Sequence, residues 1–287
     1  MRNLLPILTV LLAIIGLWYL AAIWMNSAWT YDQAARSGTA PNLWAVVQDT
    51  LTQERPKLPA PHQVGAEIWK SVAILPPTSK RSLLYHAWIT LSATLLGFVI
   101  GTAAGLGLAV GIVHNRAMDL SVMPWAIASQ TIPILAIAPM IIVVLNSLGV
   151  SGLLPKAVIS AYLSFFPVVV GMVKGLRSPE ASQFDLMRTW VATAGQVFWR
   201  LRLPASLPWL FASLKVAVAA ALVGAIVGEM PTGAVAGLGA RLLSGSYYGQ
   251  TVQIWAALFT AAALAALLVG AIGLVQRLVL ARMGLAR

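Results

Sequence analysis

Cysteine is absent from the 287 residues, which excludes disulfides, thiolate nucleophiles and cysteine-held metal sites and leaves the redox compartment unreadable. Charge is scarce as well. Asp, Glu, Lys and Arg make up 9% of the chain, against about a quarter in soluble globular domains. The acidic residues number eight, and none lies firmly inside an apolar run, which argues against a carboxylate that couples ions at membrane depth. His62, His86 and His114 are scattered along the chain, so no metal or acid–base cluster is expected and no catalytic site is assigned. The phosphate-loop pattern G-x-x-x-x-G-K-[ST] is missing too, so any energy from ATP must arrive through another polypeptide. There is no internal repeat or low-complexity tract.

What remains is apolar. Hydrophobic residues are 59% of the chain and the mean hydropathy is +0.84. These values predict an all-α, polytopic transmembrane helical bundle of about six spans, each of about 20 apolar residues. The runs extend approximately from Leu4 to Met25, Ala87 to Val113, Leu120 to Leu148, Leu153 to Val173, Ala205 to Val227 and Val252 to Leu280. This divides the chain into an N-terminal anchor (1–25), an outer segment (26–86), a core (87–280) and a tail (281–287).

A net charge of +11 could suggest a nucleic-acid partner, but membrane topology accounts for it better. With both termini inside, the short inner segments carry Arg2, Arg116, Lys174, Arg177, Arg188, Arg200, Arg202, Arg277, Arg282 and Arg287, against Asp119, Glu180 and Asp185. That is the positive-inside bias. Basic residues also occur between Arg36 and Arg81, but there they sit in a long outer loop, which weighs little in the rule. The first run is too long for the core of a cleavable signal, and Trp18, Tyr19 and Trp24 form an interfacial belt at its outer end, so an uncleaved anchor is expected. In the outer segment Pro41, Pro56, Pro59, Pro61, Pro76 and Pro77 break helices. Between them Val64, Ile68, Trp69 and Val72 recur at helical spacing, as in an amphipathic helix on the bilayer or one packed on the spans.

Gly97, Gly101 and Gly105 recur every fourth residue in the second run, a small-residue face for close helix packing. The third run contains Gln130, Thr131, Pro133, Pro139 and Asn146. Its prolines should kink or unwind the helix, which either lines a pathway or merely shapes packing. Lys215 is close enough to the inner end of its span to snorkel, and Glu229 is expected at the outer interface, where a carboxylate costs little.

Between Lys174 and Pro208 the chain turns polar, basic and aromatic. Ser178-Pro179-Glu180 is a helix-start signal, and the helix should run to about Thr189 with Phe184, Met187 and Val191 as its apolar stripe. Thr193 and Gln196 have capping-box spacing. A second short helix should then present Val197, Phe198 and Leu201 beside Arg200 and Arg202, until Pro204 and Pro208 return the chain to the membrane. These apolar faces must be covered by the chain itself or by a partner.

This stretch resembles the signature of the inner-membrane permease subunits of bacterial ATP-binding cassette importers. That signature is an acidic residue and two alanines, then three residues, a glycine, nine residues, and a hydrophobic-x-Leu-Pro ending. Aligned on Leu203-Pro204, the acidic position is Asp185, the alanines are Leu186 and Met187, the glycine is Val191 and the hydrophobic position is Leu201. Without glycine at Val191 the turn moves to Gly195, or the two helices become more continuous. LPAPHQV, SQTIPILAIAP, FFPVVVGMVKGLRS and GEMPTGAVAGLG extend the likeness to the nitrate, sulfonate, taurine and thiamine-precursor branch. The resemblance implies a multi-pass protein of the bacterial inner membrane, with no cofactor of its own and ATP consumed by a cytosolic ATPase dimer. It further implies a periplasmic solute-binding protein, a homodimer of permease chains in the lipid bilayer, and no nucleic acid. Asp185, Arg188, Trp190, Val191, Phe198, Leu201, Leu203 and Pro204 would form the ATPase-coupling loop. A secondary transporter or channel working without an ATPase is the alternative.

Overall fold

The computed structural model describes residues 4–38, 40–230 and 236–284, and among them every regular element is helical. Arg2 and Arg287, two of the charges assigned to the inner side, lie outside the described residues, as do residues 231–235 of the GEMPTGAVAGLG run and the last three of the tail. Five of the described helices are long and apolar enough to cross a bilayer, and one bent pair raises the count to six. The protein is a polytopic helical bundle.

The chain divides into two compact units. The first comprises residues up to Ala87 together with Ala240–Ala261. Helix α1 (Leu4–Ser37) has 34 residues, a length of about 50 Å against a hydrocarbon core of about 30 Å. Apolarity ends near Met25 but the helix does not. Nothing between Asn26 and Ser37 breaks it, and it ends at Gly38, whose φ is +66°. The boundary drawn at residue 25 therefore falls inside a helix. Buried Asn26 staples the following segment to α1, donating to the Leu58 carbonyl at 2.9 Å and accepting from the Leu58 amide at 3.2 Å. One turn on, Thr30 donates to Asp49 of α2 (Leu43–Thr52) at 2.6 Å. The aromatics expected as a belt differ in their surroundings. Trp24 is exposed, whereas Trp18 stacks on Phe259 and donates to the Pro59 carbonyl at 3.0 Å. Helix α3 (Pro61–Trp69) starts on Pro61 and ends in a wide π turn at Lys70–Ile74. It buries Val64 and Ser71 and exposes Trp69.

The second unit comprises Trp88–Gly239 and Ala262–Arg287. Helix α4 (Leu83–His114) crosses into it, followed by α5 (Arg116–Ser129) and α6 (Ile134–Ser147). The third apolar run is therefore two helices, bent by 101° at their break. Pro133 causes this: it disfavours helical backbone at Ile132 and starts α6 in an extended conformation. At about 21 Å, neither 14-residue helix spans the bilayer alone. Pro139 sits inside α6 without interrupting it.

Helix α7 (Leu153–Leu176) is the best-buried span. Cβ atoms on Gly97 and Gly101 of α4 would lie 2.5 Å from the Ala157 carbonyl and 2.7 Å from the Ala161 carbonyl of α7, and one on Gly105 would lie 2.8 Å from Phe165 O. On its other side α7 meets α10 (Leu203–Glu229) just as closely: a Cβ on Gly224 would stand 2.7 Å from Ser160 Cα. Ser160 donates to the Ala221 carbonyl at 2.7 Å, so the small residues bring polar groups within reach as well as backbones. Helices α8 (Ala181–Thr189) and α9 (Ala194–Val197) lie between α7 and α10. After α10 come α11 (Leu238–Tyr247) and α12 (Thr251–Arg282).

Candidate functional site

The α7–α10 loop starts two residues later than the sequence suggests. Ser178 donates back to the Gly175 carbonyl at 2.7 Å and closes α7, while Glu180 takes the N-cap of α8, its amide donating to the Gln183 side chain at 2.9 Å. Pro179 therefore precedes the helix. At the other end, the Val191 amide donates to Arg188 O at 2.9 Å and the Ala192 amide to Met187 O at 3.0 Å. This pair of bonds is the Schellman closure, which places residue 191 in the left-handed region. Its φ is +54°, and Val191 is the one non-glycine residue with positive φ among those described. The turn has neither moved to Gly195 nor straightened. Valine holds the glycine conformation, and its side chain is 88% exposed instead of joining the stripe of Phe184 and Met187.

Thr193 and Gln196 form the reciprocal capping pair, at 3.3 and 2.9 Å, that starts α9. Beyond α9 the chain does not turn at the prolines. Residues 194–229 run as one helix through Pro204 and Pro208, with a π turn at Phe198–Arg202 in which the Leu203 amide reaches the Phe198 carbonyl. A proline ring clashes with the carbonyl four residues before it, and the widened turn immediately ahead of Pro204 relieves that clash.

The loop therefore has two sides. Phe198 and Leu203 pack on the buried cluster of Ile112, Val169, Met172 and Leu176, and Phe198 lies edge-on to His114 at 5.3 Å. Leu201 and Pro204 are half-buried, and the Arg202 guanidinium lies 5.1 Å over the Phe184 ring. On the open side stand Trp190 (71% exposed), Leu186, Trp199 and the Asp185–Arg188 pair, joined at 3.0 Å. At the same end of the unit Asp119 and Arg177 pair at 2.9 Å, tying α5 to the end of α7.

At the far end of α10, Glu229 is fully buried inside the protein, where a carboxylate is costly, and not exposed as an inexpensive surface acid would be. Its carboxylate accepts from the Thr90 hydroxyl of α4 at 2.9 and 3.0 Å and from the Gly239 amide at 2.8 Å, while Thr90 accepts from the Leu238 amide at 2.9 Å. The start of α11 is thus capped by a side chain from α10, and a carboxylate suits the positive end of a helix. The glycines are required by this closure. A Cβ on Gly237, where φ is +127°, would stand 2.2 Å from Glu229 Cδ, and one on Gly239 would stand 2.2 Å from Ile226 O.

The candidate pathway residues separate. Gln130 ends α5, and its amide nitrogen is buried without a partner among the described residues. The Ser129 carbonyl beside it receives the Tyr162 hydroxyl of α7. Thr131 bonds back to Ala128 O at 2.7 Å, and Pro133 and Pro139 shape α6. Asn146 reaches a cavity of about 580 Å³ that it shares with Ser92, Ile142 and Lys156. Lys156 sits in the first turn of an apolar run and carries no local signal of its own. Lys215 lies beside α12, its ammonium 3.8 Å from where a Cβ on Gly273 would stand. The histidines do not converge: His62 stacks on Tyr19, His86 contacts the Lys80 carbonyl and His114 packs on Phe198.

Residues 79–284 match the family described as binding-protein-dependent transport system inner membrane component. The chain is similar to the riboflavin transport system permease protein RibX of Chloroflexus aurantiacus, 31% identical over 77% of this chain and 78% of that protein. It is also 31% identical to the formylaminopyrimidine transport permease protein ThiX of Halalkalibacterium halodurans, over 63% of this chain and 68% of that one. Against the putative aliphatic sulfonates transport permease protein SsuC of Bacillus subtilis, identity is 29% over 61% of each.

Proposed function

Because the chain belongs to the binding-protein-dependent transport system inner membrane component family, we propose that it is the permease subunit of an ATP-driven importer and forms the path for a small solute. The family is one of transport permeases rather than enzymes, and the chain is a multi-pass membrane protein. A binding protein outside the membrane delivers the solute, a sulfonate-, nitrate- or taurine-like anion or a pyrimidine-type heterocycle. ATP is spent by a separate cytosolic ATPase dimer. Both termini and the α7–α10 loop face the cytosol, and two copies of the chain present two such loops to the two ATPase subunits.

The observation that carries this reading is the two-sidedness of the loop. Phe198 and Leu203 root it in the bundle, while Trp190 and Val191 stand exposed at the tip of α8. An ATPase that grips the exposed side moves the rooted side with it, and α10 continues from the loop without a break. Closure on ATP then biases the spans between inward-open and outward-open arrangements.

The test is recovery of the ATPase with the tagged chain, and uptake of solute, after Asp185→Lys. That substitution reverses a charge on an exposed helix and touches no buried group. Membrane insertion should persist while ATPase recovery and uptake fall. Normal recovery and uptake count against the reading. Uptake by energised vesicles that contain no ATPase favours a secondary transporter or channel.

A further inference from the structure

We propose that the cavity at the first turn of α7 binds a small organic anion through the Lys156 ammonium, an inference that rests on reading the chain as a solute path. The cavity holds about 580 Å³, within the range of roughly 300–1,000 Å³ usual for ligand sites. Lys156 belongs to a membrane-crossing helix, where an ammonium persists by pairing, by snorkelling or because it has work to do. Its pairing is incomplete. Among the described residues its hydrogen bond is a long one, 3.4 Å to the Ala236 carbonyl, and it enters no ion pair. The Glu229 carboxylate, one residue past the close approach of Gly228 to Lys156, spends its oxygens on Thr90 and Gly239 and takes none of the Lys156 donors.

An ammonium carries three donors, so Lys156 has capacity left for an oxyanion. Asn146 adds an amide donor on another wall, while the Ser92 hydroxyl donates to the Ile89 carbonyl at 2.8 Å, and the Ile89 and Ile142 side chains offer apolar surface to the body of the ligand. A neutral heterocycle would fill the space but set no charge against the ammonium, whereas a sulfonate or carboxylate forms a charge-assisted hydrogen bond to it. The site therefore favours the anion among the solutes proposed above. It also places part of the selectivity on the permease chain itself.

The test uses the full chain in phosphatidylcholine nanodiscs, made with lysine ¹³C-labelled at Cε so that the ammonium keeps its three donors. Arginine carries no label, so the resonance missing from Lys156→Arg identifies Lys156. Titration with ethanesulfonate should move that resonance saturably and leave Lys57, Lys70, Lys80, Lys174 and Lys215 nearly still, while neutral dimethyl sulfone moves none. Asn146 is exposed, so Asn146→Ala should leave the fold intact. It should raise the half-saturating concentration about fivefold, the value of one hydrogen bond. A motionless Lys156, an equal response from every lysine, or an equal response to the sulfone overturns the proposal. So does a Lys156 signal that answers to phosphatidylglycerol in the disc but not to ethanesulfonate, which would make the occupant a lipid headgroup. The discs contain no ATPase. Failure here with normal ATPase recovery removes this site alone, whereas lost ATPase recovery bears on the permease reading.

Discussion

Thr90 and Glu229, 139 residues apart in sequence, share a hydroxyl proton across two helices, with the Thr90 oxygen 2.9 and 3.0 Å from the two carboxylate oxygens. Thr90 also accepts the Leu238 amide, and Glu229 accepts that of Gly239. One side-chain pair therefore closes α4, the end of α10 and the first turn of α11 into a single polar knot inside an apolar bundle. Such a knot is costly when half made, because each buried group that loses its partner keeps its desolvation penalty.

Removing the carboxylate should therefore be far worse than neutralising it. Glu229→Ala removes the acceptor of the Gly239 amide and of the Thr90 hydroxyl and should cost about 3 kcal/mol. Glu229→Gln keeps one acceptor oxygen in the same volume and should cost about 1 kcal/mol. Denaturant titration of the chain in bicelles gives the order. Equal losses for the two variants would mean that the hydrogen bonds contribute little.

The glycines that admit this carboxylate should be intolerant of a single methyl. Gly237→Ala puts a Cβ against Glu229 Cδ at a backbone angle that disfavours side chains, and should cost about 3 kcal/mol or more. Combined with Glu229→Ala the clash disappears and the backbone penalty stays, so the double variant should be more stable than the sum of the two losses predicts, by about 1 kcal/mol or more. Strict additivity would show that the two groups do not meet.

Five spans were legible because each is a long apolar run, whereas the third run folds as two helices bent at Pro133, and the glycine spacing of α4 was legible because its period matches the helix. The capping pair Thr193–Gln196 was also readable, being local. What could not be read were relations set by distant chain. Glu229 looked like an interfacial acid because its partner Thr90 lies on another span, and Lys156 looked like part of an apolar run. Val191 looked like the loss of a turn because local preference disfavours valine there, yet the bonds of Val191 and Ala192 to α8 hold it in the glycine conformation. Pro204 looked like a break because nothing local announces the π turn that absorbs its ring.

Two glycines on α4 should respond oppositely to the same change. A Cβ at Gly101 would lie 2.1 Å from Ser164 Oγ and 2.7 Å from the Ala161 carbonyl, so Gly101→Ala forces α4 and α7 apart and should cost about 2 kcal/mol. Nothing lies within 4 Å of such an atom at Gly107. Gly107→Ala should be neutral or stabilise by up to about 1 kcal/mol, since alanine restricts the unfolded chain. Melting of the two variants in the same detergent separates them. Equal destabilisation would argue that helix propensity, not close approach, decides.

Valine in the left-handed region is strained by about 1–2 kcal/mol, and the strain sits at the exposed tip of the α7–α10 loop. Val191→Gly should release it and tighten the closure of α8, seen as slower hydrogen exchange at the Ala192 amide, which donates to Met187 O. The same substitution removes an apolar side chain that this chain leaves uncovered. If that side chain meets the ATPase, the variant folds more tightly and yet recovers less ATPase, a divergence that damage to the fold would not produce. Faster exchange at Ala192 would contradict the strain, and unchanged ATPase recovery would place Val191 outside the contact.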